Sequence, residues 1–275
     1  MACCRSILLA GMALMVAACS NSSPQTAARE KFTVNIAGST SVMPFSEKLA
    51  EHFMLDHPTF AVNVQAGGST AGVQACITHT VDIGMCSRDL KADEQVLTAI
   101  PICYDGIAIV VNPLNPVTSL SLAQVRSIFN GSVKNWSQLG WIDRRIDAVS
   151  REEGSGTRGA FEELVMGTDT IDDATMVQDS NGSVREVVAT DPYAIGYLSL
   201  GIVDERVVAV AIDNVKPSVE TIKHKSYKIV RPFLYLTMGT PSEAAQLFIR
   251  YVLSEAGQSL LIKEGLIPAN DFSSL

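Results

Sequence analysis

A short β-like run that ends in a Gly/Ser turn and opens a helix recurs along this chain, and few folds can be built from that unit. Phe32-Thr33-Val34-Asn35-Ile36 alternates apolar and polar residues as a half-buried strand does. It ends at Gly38-Ser39-Thr40-Ser41, and Pro44 then stands in the first turn of a helix whose Phe45, Leu49 and Phe53 share one face. Phe60-Ala61-Val62-Asn63-Val64, the turn Gly67-Gly68-Ser69-Thr70, and a helix with Val73, Cys76 and Ile77 inward repeat the pattern. Val81-Asp82-Ile83-Gly84-Met85 adds a short strand. Further on, Ile146-Asp147-Ala148-Val149, the turn Gly154-Ser155-Gly156-Thr157 and a helix with Phe161, Leu164 and Val165 inward do the same. Such a succession is the grammar of a mostly parallel α/β sheet flanked by helices.

The chain crosses between two such sheets. Ile107-Ala108-Ile109-Val110-Val111 is a continuous apolar strand closed by Asn112-Pro113, where the chain leaves the first block. The second block holds a helix from Leu122 to Phe129, the turn Asn130-Gly131, the Trp136 and Trp141 region, and strand material at Ala194-Ile195-Gly196-Tyr197-Leu198 and from Val207 to Ile212. Arg231-Pro232-Phe233-Leu234-Tyr235-Leu236 reads as a second crossing strand, and two helical segments from about Ser242 to Lys263 would pack back on the first block. The expected architecture is two-lobed α/β, with lobe I discontinuous over 32–108 and 232–275, lobe II over 109–231, and two crossing strands as hinge.

With 275 residues, 47% of them hydrophobic, there is material for two cores. A net charge of -8 argues against nucleic acid or an anionic membrane surface as partner, so any bound anion must be held by local geometry. Residues 1–18 carry one charge, Arg5, and an apolar run from Ile7 to Ala18 that is too short to span a bilayer, which reads as a signal peptide. Val16-Ala17-Ala18-Cys19 resembles the bacterial lipobox, which implies lipidation at Cys19, a tether over 19–31 and an extracytoplasmic, membrane-anchored protein. An ordinary secretory signal is the alternative. Of the six cysteines, Cys76, Cys86 and Cys103 remain beyond Cys19, each among apolar neighbours, and read as small buried hydrophobes. No surviving Cys or His spacing suits a metal, and no cofactor is expected.

The three Gly/Ser turns share one chemistry. Each offers hydroxyls and backbone N–H groups at a helix start, and glycine lets an anion approach the backbone. One such turn commonly just caps its helix. Two in the first lobe and one in the second suggest a tetrahedral oxyanion clamped between lobes. Arg151, four residues before Ser155, suits a bidentate contact to it, with Arg88 and Arg158 as rivals on spacing alone.

The stretches Gly38-Ser39-Thr40-Ser41-Val42-Met43-Pro44, Gly67-Gly68-Ser69-Thr70-Ala71-Gly72, Thr80-Val81-Asp82-Ile83-Gly84-Met85-Cys86-Ser87-Arg88, Arg151-Glu152-Glu153-Gly154-Ser155-Gly156-Thr157-Arg158 and Ala194-Ile195-Gly196-Tyr197, in that order, resemble the phosphate-binding proteins of Pst-type phosphate ABC transporters over nearly the whole mature chain. The resemblance implies a type II-like periplasmic-binding-protein fold, a monomeric receptor for inorganic phosphate, and ABC permease subunits as partners. It implies that Thr40, Ser41 and Val42 hold phosphate from the first turn, with the register open among Ser39 to Val42, and that Ser69 does so from the second. Ser155, Gly156 and Thr157 would close the site, while Arg151 would pair with both the ligand and Asp82.

Asp82 also has a physical reading. A carboxylate beside an anion is repulsive unless a proton lies between them, so it would select phosphate over sulfate. The rival readings are a receptor for sulfate, molybdate or tungstate on the same fold, and a serine hydrolase. For the latter, neither Ser69 nor Ser155 sits in G-x-S-x-G, and no histidine lies in these motifs.

Overall fold

The structure, a computed structural model, describes residues 32–272. The expected signal peptide, tether and lipidated Cys19 lie outside the described residues. Twelve strands are described: β1 (Phe32–Gly38), β2 (Phe60–Ala66), β3 (Ile83–Cys86), β4 (Thr98–Val111), β5 (Ser119–Leu120), β6 (Asp147–Arg151), β7 (Met176–Gln178), β8 (Ala194–Ser199), β9 (Val208–Ala209), β10 (Ala211–Ile212), β11 (Val230–Thr237) and β12 (Ile267–Pro268). The α-helices are α1 (Met43–Asp56), α2 (Ser69–Ile77), α3 (Leu122–Phe129), α4 (Gly156–Phe161), α5 (Asn181–Thr190), α6 (Val219–Lys223), α7 (Glu243–Leu253), α8 (Glu255–Lys263) and α9 (Ala269–Phe272). Among the described residues no helix is long and apolar enough to cross a membrane.

One sheet runs through the molecule in the order β2-β1-β3-β11-β4-β8-β6-β7. At one end β1, β2 and β3 are parallel, and at the other β6, β7 and β8 are parallel. Between them β4 and β11 run antiparallel to each other and to their neighbours. The fold is thus a mixed α/β sheet whose halves share a central antiparallel pair. The apolar run Ile107–Val111 is only the second half of β4. Its first half, from Thr98, pairs with β11, and a bulge falls between Phe233 and Leu234.

Each half buries its own side chains. Val34, Ile36, Phe45, Leu49 and Phe53 pack with Cys103, Phe233, Tyr235 and Phe248 in the first half. Ile107, Ile109, Phe129, Trp136, Phe161 and Tyr197 pack together in the second, with the Phe161 and Tyr197 rings stacked at 3.9 Å. On β4 the change of core falls between Cys103 and Ile107, and on the return path between Ile229 and Phe233. The helices begin where side chains can satisfy their first N–H groups: Ser121 caps α3 in a reciprocal box with Gln124, and Ser242 accepts from the Ala245 amide at α7. The run from Val207 to Ile212 forms two short strands, β9 and β10, in different pairings. Cys76, Cys86 and Cys103 are free thiols, all buried, and burial pushes each thiol up.

Candidate functional site

The C-terminal ends of parallel strands are where α/β sheets leave room for ligands, and the three Gly/Ser turns meet there. Gly38 ends β1 at φ +140°, and a Cβ on it would run into the Met85 carbonyl and come within 3.0 Å of the Gly72 Cα, so only glycine lets the first two turns lie side by side. Its carbonyl accepts from the amides of Gly67 and Gly68. The third turn closes on these two from the other half. The Thr70 amide donates to the Gly154 carbonyl (3.0 Å), Ser41 Oγ lies 2.8 Å from Thr157 Oγ1, and a Cβ on Gly156 would sit 2.5 Å from Ser87 Oγ and even closer to Ser69 Oγ. Ser39 Oγ donates to Ser87 Oγ (2.8 Å), and Ser69 Oγ accepts from the Ser87 amide (3.0 Å).

Two buried guanidinium groups reach this nest of hydroxyls, one from β6 and one from β11. Arg151, at the end of β6 and about 1% exposed, donates to Thr40 Oγ1, to both Glu152 oxygens and to the carbonyls of Gln178 and Asp179. Its Nη1 is buried and has no protein partner. A charged donor left unmatched costs several kcal/mol, so this atom is a donor in need of an acceptor from outside the protein. Arg231, at the start of β11, donates to Ser41 Oγ and to Ser87 Oγ and pairs with Asp105 of β4 at 3.0 Å, both side chains 1% exposed. Burial pushes the Asp105 carboxyl up and the Arg231 guanidinium down, and their mutual attraction opposes both shifts. The pair is ionised, since neutralising one partner would strand the other's charge in the interior. Behind Arg151, the Tyr197 phenol bonds Ser150 Oγ at 2.6 Å and is pushed up to about 12 by burial.

A family model described as a PBP superfamily domain matches residues 23–256. The phosphate-binding protein PstS of Bacillus subtilis is 32% identical over 96% of this chain and 93% of its own length. The chain belongs to the PstS phosphate-binding protein family. A structure from Clostridium perfringens, described as a phosphate ABC transporter substrate-binding protein with bound phosphate, is 40% identical at a TM-score of 0.84 and covers 86% of this chain and 99% of that one. An ABC-type phosphate transport receptor from Vibrio cholerae is 36% identical at a TM-score of 0.72, with coverage of 85% and 99%.

Within this member of the PstS family, the residues expected at the site divide into two groups. Ser39, Thr40, Ser41, Ser69, Arg151, Ser155, Gly156 and Thr157 come together in the nest. Ser155 spends its Oγ as an acceptor, capping α4 through the Arg158 amide (3.2 Å). Val42 does not belong there: its amide donates to the Ser39 carbonyl and its side chain is in the core. Asp82 is a second correction. It stands at the far end of β3, five residues before Ser87, and five extended residues span roughly 16 Å. Its amide and Oδ2 both bond the backbone of Asn35, which fastens the start of the β1–β3 ladder, and it lines a polar surface pocket with His79 and Thr237. Arg151 therefore pairs with Glu152 and not with Asp82. The rival arginines are occupied elsewhere: Arg88 forms a buried two-point pair with Glu94, and Arg158 pairs with Glu162.

Four contributors escaped the sequence reading: Ser87, Asp105, Asn181 and Arg231. Asn181 Nδ2 donates to Ser41 Oγ at 2.8 Å and to Thr40 Oγ1 at 3.1 Å. The available signal was charge beside apolar strands, because Asp105 stands two residues before Ile107, where the run Ile107–Val111 begins, and Arg231 opens the second crossing strand.

Proposed function

We propose that this chain is an extracytoplasmic receptor that holds inorganic phosphate between two lobes and delivers it to an ABC import permease, performing no chemistry itself. The observation that carries the reading is the buried, unmatched Nη1 of Arg151 in a nest of hydroxyls built by turns from both halves of the sheet. The nest supplies many neutral donors and few net charges, which suits a tetrahedral oxyanion in a chain of net charge -8. The phosphate bound to the Clostridium perfringens relative supports the same ligand here. In this reading Ser39, Thr40, Ser41, Ser69, Arg151, Ser155, Gly156 and Thr157 surround the anion, with Ser87, Asn181 and Arg231 added. Lobe I spans 32–108 and 232–275, lobe II spans 109–231, and Cys19 carries the lipid of a monomeric protein.

Calorimetric titration of the delipidated protein with phosphate, sulfate and molybdate tests the ligand. Saturable one-to-one phosphate binding, tighter than that of either other anion, is expected. Equal or tighter binding of sulfate or molybdate would assign the site to another oxyanion.

A further inference from the structure

The removal of Asp82 from the site leaves open what orients the hydroxyl groups, and the hydrogen-bond donors behind them answer it. A guanidinium can only donate. The Ser199 amide donates to Asn181 Oδ1 (3.2 Å), so the atom of Asn181 that faces Thr40 and Ser41 is its NH2 group, again a donor. Ser41 Oγ therefore accepts twice, from Arg231 Nη2 (3.1 Å) and Asn181 Nδ2 (2.8 Å), and its own proton must point elsewhere. Ser87 Oγ accepts from Ser39 Oγ (2.8 Å) and from Arg231 Nη1 (3.3 Å), with the same result. Thr40 Oγ1 accepts from Arg151 Nη2 (3.3 Å) and from Asn181. These three hydroxyls are thus filled as acceptors and can only donate: Ser41 to Thr157 Oγ1 (2.8 Å) or to a ligand oxygen, Ser87 to Ser69 Oγ (3.4 Å) or to a ligand oxygen, and Thr40 to a ligand oxygen.

We propose that Arg231 is a positioning residue that sets the direction of these hydrogen bonds: by donating to Ser41 and Ser87 from behind, it turns both hydroxyls into donors toward the bound oxyanion. Asp105 holds the guanidinium in place through Nε and Nη2 and cancels its charge, so Arg231 acts through direction of donation more than through net field. This rests on the oxyanion-receptor reading above. A nest of forced donors favours the ligand with more bare oxygens, so phosphate should bind more tightly as it passes from monoanion to dianion. The titratable groups around Arg231 and Asp105 are Arg151 on β6, Cys86 on β3, Cys103 on β4 and Tyr227. Burial keeps the thiols and the phenol protonated near neutrality, so the pH profile reports the ligand.

Phosphate titrations across neutral pH on wild type, Arg231→Lys, the charge-neutral double variant Asp105→Asn/Arg231→Met, and Ser87→Ala test this. Wild type should tighten with rising pH. The lysine variant, still a pure donor, should keep that slope, while the double variant should bind roughly tenfold to hundredfold more weakly with a flattened slope. Ser87→Ala leaves the ion pair intact and should cost about fivefold or more, which decides the matter even if the double variant folds poorly. A double variant equal to wild type in affinity and slope, a lysine variant as weak as the double variant, or a silent Ser87→Ala would each overturn the role of Arg231. Wild type that binds no phosphate at all would instead overturn the receptor reading.

Discussion

Arg151, Arg88 and Arg158 have the same functional group and three different jobs, and the difference lies in what each guanidinium has already bonded. Arg88 is matched in full by Glu94, with both side chains 6% exposed, so Arg88→Ala should strand a buried carboxylate and cost about 3–5 kcal/mol of stability with a small effect on ligand affinity. Arg151→Ala should do the reverse. Its ion-pair partner Glu152 is a third exposed and can turn to water, whereas the ligand loses charge-assisted bonds of about 1.5–3 kcal/mol each, or roughly 10- to 1000-fold in Kd. Melting temperatures and phosphate titrations on the three alanine variants check this split, and parallel losses in all three would mean a diffuse electrostatic site. The sequence made Arg151 legible through its fixed distance from a Gly/Ser turn. Asp82 shows the limit of such reasoning, since a carboxylate that selects a protonated ligand and one that fastens two strands look alike until the strand's ends are known.

At the level of elements, the strand-turn-helix units were readable because period-2 and period-3.6 patterns change over sharply at glycine and serine. The first half of β4 was not. Pro101 and Asp105 interrupt its apolar run, because that stretch pairs with β11 across a bulge and carries one side of the Asp105–Arg231 pair. The helix α5 was likewise hidden behind the polar start Ser180-Asn181-Gly182-Ser183, although Ser180 caps it and Asn181 is the residue that bridges two hydroxyls of the nest. The start of α4 gives a sharp test. Gly156→Ala should favour the helix itself by roughly 0.5–1 kcal/mol. Its methyl group, however, would lie 2.9 Å from the Ser69 Cβ, which rotation of the serine cannot relieve. Overpacking of this kind costs about 1–3 kcal/mol, so phosphate affinity, read by calorimetric titration, should fall roughly 5- to 150-fold. Wild-type affinity in that variant would show that the turns do not close on the ligand as described.

For the whole molecule, the two halves share a continuous sheet, and the nest forms where turns from both ends of that sheet meet. Sequence showed that there were two blocks and which turns faced each other chemically. It could not show that the chain passes between the blocks through one antiparallel pair bearing opposite charges, because pairing across more than a hundred residues leaves no local pattern. The hydrogen bond from the Thr70 amide to the Gly154 carbonyl joins the halves through main chain alone. An alanine scan of every residue in the nest would leave it untouched. Among the coded amino acids only proline lacks the donor, and position 70 is the second residue of α2, the place Pro44 already occupies in α1. Thr70→Pro should therefore keep its helical circular dichroism and lose roughly two- to tenfold in phosphate affinity, and unchanged affinity would mean that the bond contributes nothing to holding the anion. Across this seam the protein is fastened by a contact almost invisible to mutation, so differences in side chains among its relatives can retune the nest without unfastening it.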